Sequence, residues 1–187
     1  MLRKIDGRLD GPFPTAAAYY RGKDWRARLI MPFTKWSRAV QVQALMATRD
    51  RHLDIGCGDG YFLKRSPCRD CWGLDLIYGD QFDDVHAFTD AFFDYVTMLA
   101  VLEHIECAAH VFQEAHRILK PAGKFIFTTP NSSGEWLMRL YARKEELDHK
   151  QYYDLDAVLE FSRNLFHLEI ARTFLCGFNQ LFSLRKI

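Results

Sequence analysis

The stretch Arg51-His52-Leu53-Asp54-Ile55-Gly56-Cys57-Gly58-Asp59-Gly60 decides how this chain is read. Its first half reads as a short buried strand. Its second half is a glycine turn, with Asp59-Gly60-Tyr61-Phe62-Leu63-Lys64 opening a helix behind it. Glycine at alternate positions removes three Cβ atoms, so the turn bends tightly and a ligand approaches the backbone closely. Amides at the start of the following helix point at that ligand and favour electron-rich groups.

Two adenosine-cofactor readings compete for such a loop. A dinucleotide fingerprint needs G-x-G-x-x-G, but Tyr61 stands where its last glycine belongs. The spacing present is Asp54-x-Gly56-x-Gly58-x-Gly60. Working outward, Trp72-Gly73-Leu74-Asp75-Leu76 is a second apolar strand ending in a carboxylate, placed to accept hydrogen bonds from both ribose hydroxyls. Phe93 to Met98 reads as a third strand, followed by Leu99-Ala100-Val101-Leu102-Glu103-His104-Ile105. After a helix comes Ile118-Leu119-Lys120-Pro121-Ala122-Gly123-Lys124, running on through Phe125 to Asn131.

This ordered set resembles the small-molecule branch of the class I S-adenosylmethionine-dependent methyltransferases, strongly over residues 50–131 and loosely to 187. The resemblance implies an α/β, Rossmann-like, mainly parallel sheet with helices on both faces and a C-terminal antiparallel hairpin. It implies one domain over 1–187, with an N-terminal arm and helices over 1–48, a cofactor core over 49–131 and an acceptor-side remainder over 132–187. S-adenosylmethionine is the implied cofactor, and its implied contacts are Asp54, Gly56, Cys57, Gly58, Gly60, Asp75, Leu76, Leu99 and Ala100. Asp54 and Gly56 would meet the donor's ammonium and carboxylate, Gly58 and Gly60 would allow close approach, and Asp75 would take the ribose. Asp54 also reads simply as an acid that orders the turn. The rival readings are a catalytically silent binder of the same cofactor and, disfavoured by Tyr61, a NAD-linked oxidoreductase.

Composition sets the outer bounds. The 187 residues suffice for one domain with a real core. Acids (24) and bases (25) nearly cancel, so no electrostatic footprint for nucleic acid or an anionic membrane is expected. No apolar run approaches a membrane span, and the N-terminus does not read as a signal peptide. Five cysteines, an odd number, suit free thiols in a reducing, cytoplasmic setting. A monomer or homodimer is expected.

The flanks are less regular. Residues 1–14 carry Gly7, Gly11, Pro12 and Pro14 and read as an irregular arm. From Thr15 to Thr48 the pattern is helical, broken near Pro32, with Trp36, Ala39, Val40, Ala44 and Ala47 on one face. Cys68 and Cys71 form a Cys-x-x-Cys with no second pair to complete a zinc site, so they read as free surface thiols and no metal is expected. Between Asp75 and Asp94 the chain is short for a helix, a strand and a crossover. The sheet edge should therefore be reduced, with Val85 to Phe88 at most a stubby strand and Asp83 and Asp84 left as candidates for the adenine side. Residues 107–120 form the clearest helix, its stripe Ala108, Val111, Phe112, Ala115, Ile118 and Leu119 leaving His110 and His116 toward solvent. Asp154 caps a helix facing inward through Leu155, Val158, Leu159, Ser162, Leu165 and Phe166, and two closing strands follow, Leu168 to Phe174 and Gln180 to Lys186.

The acceptor is narrowed by what is missing. The adenine-N6 and glutamine branches carry an Asn/Asp-Pro-Pro-Tyr-type motif where this chain has Leu99-Ala100-Val101-Leu102. A small hydroxyl, amine or carbon acid remains, and His149 to Tyr153 resembles enzymes acting on quinone precursors, sugars or other secondary metabolites. If a proton acceptor is needed, His149 is preferred to His104. It lies in the segment expected to cover the acceptor, and histidine titrates near neutrality. Glu103-His104 reads as a structural pair of the cofactor loop.

Overall fold

The computed structural model describes residues 2–5, 8–10, 25–48, 51–132 and 152–187. Eight strands form one sheet: β1 (Leu2–Ile5), β2 (Arg8–Asp10), β3 (Arg51–Ile55), β4 (Asp70–Leu74), β5 (Phe93–Leu99), β6 (Leu119–Pro130), β7 (Phe166–Phe174) and β8 (Asn179–Lys186). Their order across the sheet is β2-β1-β4-β3-β5-β6-β8-β7. The central run β4-β3-β5-β6 is parallel, with Leu53 opposite Trp72 on one side and Val96 on the other. Parallel strands need cover on both faces, and β3 and β5 are accordingly buried along nearly their whole length. β7 and β8 close the sheet as the antiparallel hairpin that the sequence implied.

Side chains alternate between the two faces. On β6, Phe125 and Phe127 join a core shared with α2 (Ala108–Ile118) and α3 (Leu155–Ser162). Ile126 faces the other way, toward Ala39, Val42 and Met46 from α1 (Trp25–Gln43) and the turn after it. Helices thus cover both faces. No helix among the described residues is long and apolar enough to cross a membrane.

Several local expectations are corrected. The N-terminal arm is not irregular: β1 and β2 form a hairpin, and β1 runs antiparallel along the free edge of β4. The edge that the shortened 76–92 segment cannot supply is therefore filled from the other end of the chain. That segment contains no stubby strand at Val85–Phe88. Phe82–Ala87 is a 3-10 turn with a capping box between Gln81 and Asp84, and it is anchored by buried Val85 and by Phe88. Helix α1 runs through Pro32 unbroken, with the Thr34 hydroxyl donating to the Met31 carbonyl. Its buried face is Ala39 and Val42, whereas Trp36, Val40, Ala44 and Ala47 are exposed. Behind the glycine loop there is only a 3-10 turn, Leu63–Arg65, because Ser66 and Pro67 end it at once. Leu155 and Leu159 of α3 also face outward, leaving Val158 and Ser162 as its buried side, and the helix stops at Ser162, so Leu165 and Phe166 lie beyond it with Phe166 opening β7. His116 is half-buried, edge-on to Phe166 rather than in open solvent, and this burial lowers its pKa. The thiols of Cys68 and Cys71 are buried, not on the surface, and Cys71 donates to the Cys68 carbonyl.

Candidate cofactor and acceptor site

The four parallel strands end together, and the loops leaving them form the candidate site, as expected at the carboxyl edge of an open α/β sheet. The glycine loop is held to the neighbouring strand by its own backbone. The Gly56 and Cys57 amides both donate to the Leu74 carbonyl, at 2.8 and 3.1 Å. Gly56, Gly58 and Gly60 all have positive φ, which side chains strongly disfavour. At Gly56 space is also closed, because a Cβ there would lie 2.1 Å from Val101 Cγ2.

Asp75 follows the last residue of β4 and reaches back to the loop. Its Oδ2 accepts from the Gly58 amide at 2.7 Å and its Oδ1 from the Ile77 amide at 3.0 Å, which caps the turn Leu76–Tyr78. The Tyr78 hydroxyl donates to the Gly58 carbonyl, so both polar groups of Gly58 are fixed from the β4 side. Burial raises the Tyr78 hydroxyl's pKa, keeping it a donor. Leu76, directly after Asp75, is 71 % exposed.

Asp54 is buried at the end of a polar chain. Thr97 Oγ1 donates to Asp54 Oδ1 at 2.7 Å, His52 Nε2 lies 2.8 Å from the same hydroxyl, and His52 Nδ1 lies 2.9 Å from Ser66 Oγ. An ionised Asp54 only accepts, so Thr97 spends its proton on it and must accept from His52 Nε2–H; Nδ1 then accepts from Ser66. Desolvation pushes Asp54 up to about 7, against the Thr97 hydrogen bond, with Asp75 adding to the rise and Lys35 opposing it. The Cys57 thiol is raised far more, first by burial and then by Asp54. It is no nucleophile.

Ala100 closes β5 with φ of 59°, a strained value for a residue with a Cβ, and its amide donates to the Thr128 carbonyl. Leu99 and Ala100 are half-buried beside the loop strand. Beyond them Glu103 is buried while His104 is exposed. Desolvation is the main cause that lifts Glu103 to about 7; its backbone hydrogen bond, Arg38 and the Thr129 hydroxyl lower it. Thr129 lies alongside but short of a well-formed hydrogen bond. Among the described residues, Glu103 Oε2 and the hydroxyls of Thr128, Thr129 and Ser183 have no hydrogen-bond partner.

Helix α1 roofs this region. Lys35 salt-bridges Asp59 of the glycine loop, and Arg38 Nε donates to Asn179 Oδ1, at the start of β8, at 3.1 Å. Tyr153 is buried, its carbonyl accepts from Gln180, and the nearby Glu103 adds to the burial that raises its hydroxyl's pKa. The structure thus brings Asp54, Gly56, Cys57, Gly58, Gly60, Asp75 and Leu76 to one loop cluster. Leu99 and Ala100 end the strand next to it. Asp83 and Asp84 are engaged elsewhere, with His110 and with the Gln81 amide. His149 lies outside the described residues. Sequence reading missed His52, Thr97, Tyr78, Lys35 and Arg38. Only His52 carried a signal, since it stands two residues before Asp54 on the same side of a strand.

A family model described as a methyltransferase domain matches residues 26–161. Among curated proteins the chain is similar to the ubiquinone biosynthesis O-methyltransferases of Yersinia enterocolitica and Citrobacter koseri. These are 30% and 33% identical over 110 residues, 46% of this chain and 45% of each relative. The chain therefore spans less than half the length of the curated relatives it matches. Among solved structures it is similar to a chain of the complex between the Haloferax volcanii Trm112 methyltransferase activator and a methyltransferase. There the TM-score is 0.67 and the identity 17%, covering 88% of this chain and 98% of that one. A possible histamine N-methyltransferase from Thermotoga maritima follows, with TM-score 0.66 and 16% identity over 87% of this chain and 94% of that one. The matched model covers more than half of the residues and includes the glycine loop, Asp75 and the end of β5, so the chain belongs to the class I S-adenosylmethionine-dependent methyltransferase family.

Proposed function

We propose that this protein transfers the methyl group of S-adenosylmethionine to a small-molecule acceptor by in-line displacement. The observation that carries this reading is the 2.7 Å hydrogen bond from the Gly58 amide to Asp75. It sets the carboxylate of β4 against the glycine loop at the edge where the family holds its donor. A carboxylate offers about four lone-pair sites. Two are taken by the Gly58 and Ile77 amides, which leaves two for a ribose diol. Leu76 would lie against the adenine, a role that matters here because residues 76–92 supply no further strand. Asp54, beneath the loop, would meet the donor's ammonium, while the main chain at Leu99 and Ala100 would border its methionyl part. The glycine loop, Asp75, Leu76, Leu99 and Ala100 would then form the donor side, and the Glu103 turn, the end of β6 and residues 132–187 with α1 the acceptor side.

The methyl group of a sulfonium is already activated, so the protein's work is alignment and exclusion of water. Net charge +1 supports an acceptor without many phosphates. The similarity to ubiquinone biosynthesis O-methyltransferases supports a hydroxyl acceptor, and the five free thiols a reducing, cytoplasmic setting. For proton removal His149 remains the proposal from sequence, and the described residues add Glu103, a buried carboxylate whose Oε2 has no hydrogen-bond partner among them. Calorimetry should show S-adenosylhomocysteine binding and no heat with NAD; NAD binding alone would overturn the reading. A screen of phenols, amines and carbon acids with labelled donor then identifies the acceptor, and silence across all classes would favour a non-catalytic binder. Once an acceptor is known, His149→Ala and Glu103→Gln should divide the roles. The variant of the true base loses about a hundredfold or more in turnover with its cofactor affinity unchanged.

A further inference from the structure

Away from the cofactor loops, two short pieces of chain bring imidazoles and a carboxylate together. Asp83 and His86 are three residues apart on the 3-10 turn Phe82–Ala87, a spacing that stacks them on one edge. His110 and Glu114 are four apart on α2, on the flank that meets this turn. His110 Nε2 lies 3.7 Å from Asp83 Oδ1, and His86 Nε2 lies 3.5 Å from Glu114 Oε2. The two imidazole rings are 5.6 Å apart, and Phe82 packs edge-on against His110. One ligand atom from each of Asp83, His86 and His110 falls within 4.8 Å of the other two.

We propose that Asp83, His86 and His110 form a binding site for a divalent transition-metal ion of the zinc class. Metal–ligand bonds of about 2.0–2.2 Å imply ligand atoms roughly 3.4 Å apart around a tetrahedral ion. The present spacing is one small inward rotation of exposed side chains away from that. Two imidazoles and one carboxylate select zinc, nickel or copper over magnesium or calcium, which prefer oxygen ligands throughout. Water would complete the shell. Glu114 is held by Arg117, whose Nη2 donates to Glu114 Oε2 at 2.8 Å. It stands behind His86 with its charge already paired by that guanidinium, so Asp83 is the carboxylate the site offers a cation.

The position gives the ion a task. Residues 76–92 are the reduced edge of the sheet, and this turn is tied to α2 by Val85, Phe88 and the Arg117 bonds to the Val85 and Phe88 carbonyls. A metal bridging Asp83 and His86 to His110 would staple the turn to the helix where a full crossover helix is absent. Metal bound to the folded state alone raises stability by mass action.

The full chain, stripped with chelator and then titrated with zinc in competition with a chromogenic indicator, tests this directly. One equivalent should bind in the micromolar range or tighter, with a rise in the thermal midpoint. His86→Ala and His110→Ala should each weaken zinc binding at least about tenfold and abolish that rise, while S-adenosylhomocysteine affinity stays unchanged as proof of folding. Zinc binding should persist in the Cys107→Ser/Cys176→Ser double variant, which lacks the exposed thiols. No binding below millimolar zinc would overturn the proposal, as would binding that survives both histidine substitutions.

Discussion

The glycine-loop side and the Glu103 side, proposed above as donor and acceptor sides, are built on opposite principles. Around Gly56–Gly60 the structure is backbone: amides bonded to the Leu74 carbonyl, three positive φ values, and both polar groups of Gly58 fixed by Asp75 and Tyr78. The side chains beneath it, Asp54, Thr97, His52 and Ser66, are linked in one continuous chain of hydrogen bonds. Around Glu103 the structure is side chain: Arg38, Thr129, Tyr153 and Asn179 arrive from four separate segments, and Glu103 Oε2 and the Thr128 and Thr129 hydroxyls find no partner among the described residues. A buried unbonded polar group costs about 1–3 kcal/mol, and a bound molecule that supplies the missing partner recovers it. In the proposed reading the donor side would be finished before its ligand arrives, and the acceptor side would be completed by what binds.

The largest expected effect breaks the backbone half alone. Gly56→Ala places a methyl group into Val101 at a left-handed φ. S-adenosylhomocysteine affinity should fall by about a hundredfold or more, equivalent to ~2.7 kcal/mol. Adding Val101→Ala removes the collision but not the strain of about 1–2 kcal/mol, so part of the affinity should return. Calorimetry on the single and double variants decides it: if the double is no better than the single, crowding at Val101 is not what requires this glycine.

Asp75→Ala comes next. It removes charge-assisted hydrogen bonds worth about 1.5–3 kcal/mol each, and affinity for the same ligand should fall at least about tenfold, with circular dichroism unchanged. Glu103→Gln should leave that affinity as it was. Equal losses from the two substitutions would mean that the halves are not separate.

The third expectation concerns pH, with its sign set by burial. Asp54 rises from 3.8 to about 7 on folding and Glu103 from 4.5 to about 7, so the folded chain binds more protons than the unfolded chain between about pH 4 and 7. Stability should therefore fall as pH rises through that window and level off above 7. Asp54→Asn and Glu103→Gln should each flatten the decline in thermal or denaturant unfolding. Cofactor affinity should move the other way if, as proposed, Asp54 meets the donor's ammonium, which would select its ionised form. It should weaken below pH 7 by up to about tenfold per unit, and Asp54→Asn should erase that dependence. Persistence of the slope in Asp54→Asn, or its loss in Glu103→Gln, would place the titration on the wrong side of the cleft.

The same contrast explains what could be read from the sequence. A glycine loop is made of consecutive residues, so Asp54-x-Gly56-x-Gly58-x-Gly60, Asp75 and the end of β5 were legible along with the parallel core and the closing hairpin. The Glu103 surroundings come from residues 38, 103, 129, 153 and 179, and no local pattern announces that they meet. That Asp83, His86 and His110 come together was not legible for the same reason, since a 3-10 turn and a helix must pack before their spacing exists. The hairpin β1–β2 was hidden by Gly7, Gly11 and the prolines, which are turn signals in a sequence but say nothing of the short segments between them. Those segments gain their strand state by pairing with β4, a tertiary contact rather than a propensity.

The smallest effect tests a helix that touches both halves. Helix α1 reaches the donor loop through Lys35 and Asp59 and the acceptor side through Arg38 and Asn179. Lys35 keeps 23% of its side chain exposed, so its ion pair belongs near the exposed class, worth about 0.2–1 kcal/mol. Lys35→Ala should then weaken S-adenosylhomocysteine binding by no more than about fivefold. The loss should shrink at high salt, where such a pair is screened, and a double-mutant cycle with Asp59→Ala should assign it to that contact. Arg38→Ala should leave cofactor affinity alone and instead raise the Glu103 pKa further, because Arg38 is the charge that lowers it. The carboxyl carbon of Glu103, followed by NMR across pH, reports that shift. Should Arg38→Ala cost more cofactor affinity than Lys35→Ala, α1 would be a rigid lid moving as one piece, and the two sides of the cleft would be coupled through it.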